Sequence, residues 1–346
     1  MSTTLETYWS TYNSTCPPTS SFLSSYQYIV YPLQYSNTFF IPLAILAGYC
    51  VLYKIPKAML PMKWVYFNLH VWISVQSVYL TLLLVPYVWL PVISTTYFGI
   101  LSNLGVEDVT QGYIGCVLLL VPLSATVSLF ENRHQQIQNN QLRERRKLVR
   151  YPMLGFNYLY SIVSPYPIFS NPPDQLTAKI AFLKTVPCPN KDFFHLHFYT
   201  FSNDPQTQKY LFCSMMLALG FVMIQLVFYS ATCLHYLVFA KENITLTSKM
   251  RNRRQKRFFL GILMQISVTY GFMSPALIYC GVSFFTGYYN QKLNNVLVYF
   301  LSLNGTVSTI ALLFSHRAYR KALGIWLQLE KKNDILPSIF CQDFPV

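Results

Sequence analysis

The chain has 346 residues, of which 53% are hydrophobic and only 11% are charged, and its formal net charge is +14. So little charge beside so much apolar surface excludes an ordinary water-soluble globular protein and favours a chain that lies in lipid. The basic excess has an explanation in membrane topology and gives no reason to predict nucleic-acid binding.

Seven stretches lack Asp, Glu, Lys and Arg and approach the roughly 20 apolar residues that cross a hydrocarbon core. They are residues 30–53, 64–86, 111–130, 151–171, 210–240, 258–285 and 296–314. Prolines interrupt the fourth stretch, but a membrane helix tolerates proline where neighbouring helices cover the freed backbone groups. The sequence therefore predicts an all-α membrane protein, a seven-transmembrane helix bundle at residues 30–314 with tails at 1–29 and 315–346.

The basic residues indicate which way the bundle faces. Loops 54–63, 131–150 and 241–257 and the tail after residue 314 contain 21 of the 26 Lys and Arg residues. Under the positive-inside rule we expect these segments in the cytoplasm, the N-terminus outside and the C-terminus inside. Asn13 agrees with this topology, because it begins an Asn-Ser-Thr glycosylation sequon that only an enzyme on the outer side can reach.

A single arginine ends the third stretch, in the segment LFENRH at residues 129–134. From position alone, two interpretations of Arg133 are equally good. It is either an anchor whose long side chain reaches water and headgroups, or the switch of a seven-helix receptor, released to contact a partner when the sixth helix moves outward.

Six motifs occur in order along the chain, from about Cys16 to Arg320. They are IPLAILAGYCVLYKIPKAMLPMKWVYFNLH, LFENRH, PPDQ, VPCP, YYNQKLNN and SLNGTVSTIALLFSHRAYR. Together they resemble the motifs of the nematode serpentine receptors of class H, with those of class I as close relatives. The resemblance implies a chemosensory G-protein-coupled receptor in the plasma membrane, in the sensory cilia of a chemosensory neuron. Its partners would be a small-molecule ligand, the lipid bilayer and a heterotrimeric G protein.

The resemblance also makes Glu131, Asn132 and Arg133 this chain's version of the acid-arginine-tyrosine motif of rhodopsin-like receptors. Here the acid and the arginine are two positions apart, so on a regular helix they point to different faces and do not meet. We therefore expect Glu131 to pair with a basic residue from another loop.

The loop before the sixth stretch is strongly basic. Its last positively charged residues are Arg251, Arg253, Arg254, Lys256 and Arg257. Such a cluster contacts anionic lipid, and the resemblance adds a contact with the G protein. Pro275, inside the sixth stretch, would kink the helix and turn small outer movements into larger inner ones. Beyond the seventh stretch, Tyr319, Leu323 and Trp326 lie on one helical face, which predicts an amphipathic helix in the cytoplasmic interface.

Two of the eight cysteines, Cys16 and Cys188, fall in the predicted outer segments. Cys116 lies 17 residues before Arg133, about 25 Å along a helix, which places it inside the hydrocarbon rather than at its outer edge. We therefore predict a disulfide between Cys16 and Cys188 in an oxidising compartment.

The third stretch offers no carboxylate between Asp108 and Glu131, so amine ligands are disfavoured. The outer parts of the spans instead contain aromatic residues, which favour a neutral, partly apolar small molecule held by packing and a few hydroxyl contacts. The candidate pocket residues are Tyr113, Tyr210, Tyr279, Phe284 and Tyr299. Each of them is also interpretable as a core or membrane-interface residue.

Three other classes of function fit less well. The sequence contains no metal-ligand set, nucleophile elbow or phosphate-binding loop, so we predict no enzymatic activity, no metal and no cofactor. A seven-helix ligand-gated odorant channel would have the inverted topology, against the distribution of basic residues. A small-molecule transporter would need internal duplication or an ionisable pair within the spans, and the sequence shows neither. No oligomeric state is favoured.

Overall fold

The computed structural model describes residues 3–16, 21–55, 57–137, 140–202, 204–239, 246–322 and 324. Its helices in chain order are α1 (Thr3–Thr15), α2 (Tyr26–Tyr53), α3 (Lys63–Val78), α4 (Ile100–Asn103), α5 (Asp108–Ile137), α6 (Asn140–Val163), α7 (Tyr166–Phe169), α8 (Gln175–Thr185), α9 (Asp192–His195), α10 (Pro205–Phe239), α11 (Leu246–Thr286), α12 (Gln291–Ser315) and α13 (Arg317–Ala322). Short 3₁₀ turns cover Phe22–Ser24 and Lys57–Met62, and a π-helical segment, Tyr79–Leu84, extends α3.

The bundle consists of the seven long helices α2, α3, α5, α6, α10, α11 and α12. Within the described residues, six of them are long and apolar enough to cross a membrane, and they correspond to six of the seven predicted stretches. The helix α6 is the seventh. It packs against α5, although its first turns are basic and its overall composition is therefore less apolar. The predicted all-α seven-helix membrane protein is confirmed.

The fourth predicted stretch, 151–171, differs most from the structure. The helix α6 begins at Asn140, inside the basic loop, and ends at Val163, while the short helix α7 starts only at Tyr166. Pro152 lies inside α6, whereas Pro165 and Pro167 stand at the start of α7. A proline removes a backbone donor and disfavours helix at the residue before it, so the paired prolines end α6 where the sequence alone suggested one continuous span.

Local capping explains where the bundle helices begin. The Ser25 hydroxyl accepts a hydrogen bond from the backbone N–H of Gln27 and starts α2. The Asn290 side chain accepts from the backbone N–H groups of Lys292 and Leu293 and starts α12. These caps satisfy donors that the first helical turn leaves without an internal partner.

A small antiparallel sheet, which the sequence did not predict, covers one end of the bundle. It consists of β1 (Pro86–Val88), β2 (Ser94–Tyr97) and β3 (Tyr199–Thr200) in the order β1-β2-β3. Tyr87 lies opposite Thr96, and Thr95 lies opposite Tyr199. The strands come from the segment after α3 and from the segment before α10, so the sheet joins two loops at the same end of the bundle.

The helix α1 is fixed to this same end, which we call the disulfide end. Cys16 and Cys188 form a disulfide with a Cα–Cα distance of 5.5 Å. The Tyr12 hydroxyl donates to the Pro189 carbonyl at 2.5 Å, and the Tyr8 hydroxyl donates to the Pro187 carbonyl. The first helix is thereby held against the segment between α8 and α9.

A half-buried carboxylate ties α9 to the rest of the disulfide end. Asp192 Oδ2 accepts hydrogen bonds from the Tyr26 backbone N–H at 3.1 Å, from the Asn190 side chain at 3.2 Å and from the Tyr87 hydroxyl at 3.3 Å. Burial raises the pKa of this carboxyl group above its usual value, while the hydrogen bonds from Tyr26 and Tyr87 act in the opposite direction.

Glycines bring the bundle helices close together at two points. A Cβ atom added to Gly305 of α12 would lie 2.4 Å from Ser77 Cβ of α3, and one added to Gly261 of α11 would lie 2.8 Å from a ring atom of His316. At the first point the Ser77 hydroxyl donates to the Ser302 carbonyl at 3.0 Å. Small residues at helix contacts and interhelical hydrogen bonds are what hold membrane helices together.

Candidate functional site

The end of the bundle opposite the disulfide contains the LFENRH segment, and we call it the arginine end. The helix α5 continues to Ile137, so Glu131, Asn132 and Arg133 lie inside its last turns and not in a loop. Glu131 Oε2 is 2.7 Å from Nε of Arg150, which lies on α6. Arg150 also donates to the Gln135 side chain at 2.6 Å. The acid of the motif is therefore occupied by the neighbouring helix and not by Arg133.

Arg133 is buried, with only 2% of its surface exposed. Its Nε and Nη2 atoms are also buried and have no hydrogen-bond partner among the described residues. The anchor interpretation of this arginine is wrong, because the guanidinium group does not reach water. A buried cation with unused donors is costly, typically several kcal/mol, and it favours any rearrangement that supplies acceptors.

Aromatic rings and a thiol surround the motif. The His134 ring lies 5.4 Å from the Tyr229 ring and 6.0 Å from the Phe228 ring, both on α10. Cys233 of α10 is buried in the same core cluster as Leu129 and Phe130. The base of α5 therefore packs tightly against α10, and its arginine points into protein.

Three buried polar side chains connect α3, α11 and the end of α12, and we call Tyr66, Gln265 and His316 the Tyr66 latch. The Tyr66 hydroxyl donates to Gln265 Oε1 and lies 3.0 Å from His316 Nε2. Because the hydroxyl proton is given to Gln265, the His316 nitrogen must donate to the hydroxyl oxygen. Burial, and then the charge of Arg320, lower the pKa of His316 to about 3, so the ring is neutral at physiological pH.

The other residues predicted for this end have varied positions. Pro275 lies within a continuous α11 and is exposed on the outer side of the bundle, and Lys256 and Arg257 are exposed on the same helix. The side chains of Arg251, Arg253 and Arg254 lie outside the described part of the chain, although their backbone belongs to α11.

The two tails are described only in part. Tyr319 is buried, with 0% exposed, on the short helix α13. Leu323, Trp326 and the rest of the predicted amphipathic helix lie outside the described residues, as does the side chain of Asn13, whose backbone belongs to α1.

The five aromatic residues predicted to form a ligand pocket do not converge on one site. Tyr279, Phe284 and Tyr299 pack against the core of the disulfide end, whereas Tyr113 packs against a second cluster with Phe169 of α7. Tyr210 is 49% exposed on the outside of α10.

Three hydroxyl groups of this set are occupied by protein contacts. Tyr113 donates to the Ile162 carbonyl at 2.8 Å, Tyr279 donates to the Asn294 side chain at 2.7 Å, and Tyr299 donates to the Tyr28 carbonyl. The structure therefore gives these tyrosines bundle-stabilising contacts in place of a common pocket.

The polar residues of the YYNQKLNN motif, which carried no function in the sequence analysis, organise the disulfide end. Gln291 donates to the Val88 carbonyl of β1 at 3.1 Å, Asn294 to the Leu90 carbonyl at 3.3 Å and Asn295 to the Leu23 carbonyl at 2.9 Å. Gln291, Asn294 and Asn295 stand at positions i, i+3 and i+4, on one face of the helix start, and a row of amides on one such face signals this role. In the part of the chain that the structure describes, no group of three His, Cys, Asp or Glu residues is placed to hold a metal ion.

Comparison with known proteins agrees with this architecture. The family model of the serpentine type 7TM GPCR chemoreceptor Srh matches residues 24–329. Serpentine receptor class H-72 of Caenorhabditis elegans is 27% identical to this chain over 347 residues, covering 99% of this chain and 98% of that protein. Both matches extend across all seven bundle helices.

Proposed function

Because the chain belongs to the Srh family of serpentine seven-transmembrane chemoreceptors, we propose that it detects a small, neutral molecule and activates a heterotrimeric G protein at its arginine end. The lipid bilayer and a small-molecule ligand follow from the family, and coupling to the G protein is the further step. In this proposal the N-terminus and the disulfide face outward, and the receptor works in the plasma membrane of a sensory cilium. The concentration of basic residues on the opposite side supports that orientation.

The observation that carries the proposal is the state of Arg133. It is buried at the base of α5, two of its nitrogen atoms have no hydrogen-bond partner among the described residues, and Glu131 is paired with Arg150 instead. A partner that brings backbone carbonyl or carboxylate oxygens to this end would satisfy those donors. Binding of such a partner would be favoured because it gives the Arg133 guanidinium group the hydrogen-bond acceptors that it lacks in the closed bundle.

The arginine end also contains the contacts that keep the base of α5 covered. The Tyr66 latch holds α11 against α3 and the end of α12, and α11 continues as the basic helix that carries Lys256 and Arg257. When α11 moves outward, the latch opens and the base of α5 becomes accessible. The exposed basic side chains are then available to an acidic partner surface or to anionic lipid.

The test combines a panel of Gα subunits with a panel of ligands. Membranes that contain the receptor and each Gα subunit are assayed for nucleotide exchange in the presence of neutral small molecules and of permanently charged amines. We expect exchange with a neutral compound and at least tenfold less with Arg133→Met. The matched control is Lys292→Met, which removes an exposed positive charge at the disulfide end and should leave exchange unchanged.

Two results would contradict the proposal. Agonists that are all permanently charged amines would exclude the neutral ligand. A ligand-gated current that persists without any G protein, in cells where the N-terminus is shown to lie inside, would favour the inverted channel.

A further inference from the structure

A cavity of about 340 Å³ lies between α5, α6 and α10, and none of the five predicted pocket residues lines it. Its walls are largely apolar, with Leu120 and Leu123 from α5, Phe156 from α6, and Leu217, Phe221 and Val222 from α10. This volume falls at the small end of the range of pockets that hold small molecules.

The cavity opens through the side of the bundle. Leu217 is 70% exposed and Phe156 is 52% exposed, although both line the cavity. Leu120 and Ser124 lie 12 and 16 positions after Asp108, the first residue of α5, or about 18–24 Å along the helix. At that depth the surroundings of a membrane-spanning bundle are lipid chains, so the opening faces hydrocarbon.

The disulfide end, in contrast, is filled with packed rings. Trp89 and Phe193 are each 0% exposed, and Phe182 is 1% exposed. The ring centroids of Phe182 and Phe193 are 4.9 Å apart, and those of Trp89 and Phe193 are 5.6 Å apart. Packing of this density favours entry from the bilayer over entry through the disulfide end.

The three hydroxyl groups on the cavity wall have used their hydrogen-bond donors. Ser161 donates to the Asn157 carbonyl at 2.9 Å, so in its 3.0 Å contact with Ser124 the Ser124 hydroxyl must be the donor. The Tyr160 hydroxyl donates to the Ser214 carbonyl at 3.2 Å. Each hydroxyl oxygen keeps lone pairs, so the remaining capacity of these hydroxyl groups is to accept hydrogen bonds.

The amide groups beside these hydroxyls form a closed pair. The Asn157 side chain donates to Gln225 Oε1 at 3.1 Å, and the Gln225 side chain donates to Asn157 Oδ1 at 3.2 Å. Each amide thus gives one N–H and its oxygen to the other, which fixes α6 to α10. The ligand group that complements these hydroxyl groups is a hydrogen-bond donor on an otherwise apolar molecule.

We propose that this cavity is a binding site for an apolar alcohol that dissolves in the bilayer and enters between α6 and α10. Its hydroxyl group would donate a hydrogen bond to the Ser124 or Tyr160 hydroxyl oxygen. The proposal deepens the receptor function proposed above and rests on it only for signalling. Ser124 and Arg133 are nine positions apart on the same helix, about 14 Å, so a molecule that changes the packing of α5 acts on the arginine end directly.

The test uses the full-length receptor in lipid nanodiscs and a long-chain alcohol that carries a photoreactive diazirine. After irradiation, labelled peptides are mapped by mass spectrometry. We expect labelling of α5, α6 and α10 at the cavity. An unlabelled alcohol of the same chain length should displace the probe about five- to tenfold better than its methyl ether, which cannot donate a hydrogen bond.

Three variants sharpen the result. Leu217→Trp places a large ring at the opening and should reduce cavity labelling at least tenfold. Ile224→Trp is the matched control, because Ile224 lies on the same helix, is also 70% exposed and does not line the cavity. Ser124→Ala, which removes an acceptor and no bulk, should narrow the preference for the alcohol over the ether.

Labelling spread evenly over the lipid-facing surface, or equal competition by alcohol and ether, would overturn the site. So would labelling that survives Leu217→Trp, or labelling that excess alcohol does not displace, since the cavity would then hold an ordinary lipid chain. The outcome is separable from that of the proposed function. Cavity labelling without nucleotide exchange would support the site and contradict G-protein signalling, whereas exchange without cavity labelling would do the reverse.

Discussion

The substitution Tyr66→Phe should make the receptor active without ligand. Tyr66 is 1% exposed, and its hydroxyl is shared by Gln265 and His316, which are 2% and 5% exposed. Removing the hydroxyl leaves the Gln265 oxygen without a donor and the His316 nitrogen without an acceptor. A buried polar group left without its partner costs about 1–3 kcal/mol.

This cost falls on the closed bundle only, because outward movement of α11 carries Gln265 away from Tyr66 and admits water to both groups. A destabilisation of about 1–3 kcal/mol of one state changes the ratio of the two states about 5- to 150-fold. Basal nucleotide exchange should therefore rise at least fivefold, at equal receptor density in the membrane.

The measurement is ligand-free GTP exchange in membranes, normalised to the amount of receptor at the cell surface. Tyr79→Phe is the matched control. Tyr79 belongs to the same membrane span, is 5% exposed and donates to the Gln111 carbonyl at 2.8 Å, at the other end of the bundle. Equal basal exchange in the two variants, or unchanged exchange in Tyr66→Phe, would refute the reasoning that the latch restrains α11.

Three more predictions concern pH, packing and topology. His316 has a pKa of about 3 in the closed latch and about 6.5 when free, so the latch is fully stable above pH 6.5 and weakens as the pH falls. Basal nucleotide exchange should therefore rise about tenfold from pH 7.5 to pH 5.5. The variant His316→Gln should abolish this rise. Gly305→Ala should destabilise the receptor by about 1–3 kcal/mol in thermal unfolding, because the added Cβ meets Ser77, whereas Gly271→Ala, with nothing within 4 Å, should not. Asn13→Gln should abolish a glycosidase-sensitive shift in gel mobility; a tag that shows the N-terminus inside the cell would contradict the outward orientation.

The number and order of the bundle helices were predictable because the signal is coarse. A helix that crosses lipid needs a long run without charge, and six such runs in this sequence correspond to helices in the structure. The fourth helix shows the limit of that reasoning. Its first turns contain Arg150 and other basic residues, so a search for stretches without charge places the start of this helix too late. The search also runs past Pro165 and Pro167, where the helix has already ended, and so places its end too late.

The polar contacts within the bundle were not predictable from spacing. Tyr66, Gln265 and His316 are up to 250 positions apart, and no periodicity indicates that their side chains meet. The burial of Arg133 was missed for a related reason, because a helix that stopped at residue 130 would have left it in water. The structure extends α5 to Ile137 and packs that extension against α10.

From the hydrogen bonds of α11 we infer how the two ends of the receptor would communicate. At the disulfide end, Tyr279 donates to Asn294 of α12 at 2.7 Å, and at the arginine end Gln265 accepts from Tyr66. Between them lies Pro275, which removes one backbone hydrogen bond from the helix, and Tyr270, whose contact with α5 is a longer 3.3 Å bond. Interhelical hydrogen bonds in membranes contribute only about 1–2 kcal/mol each. We therefore expect that opening the arginine end breaks few bonds, that the bond at Tyr279 keeps the outer half of α11 in place, and that the inner half turns about Pro275.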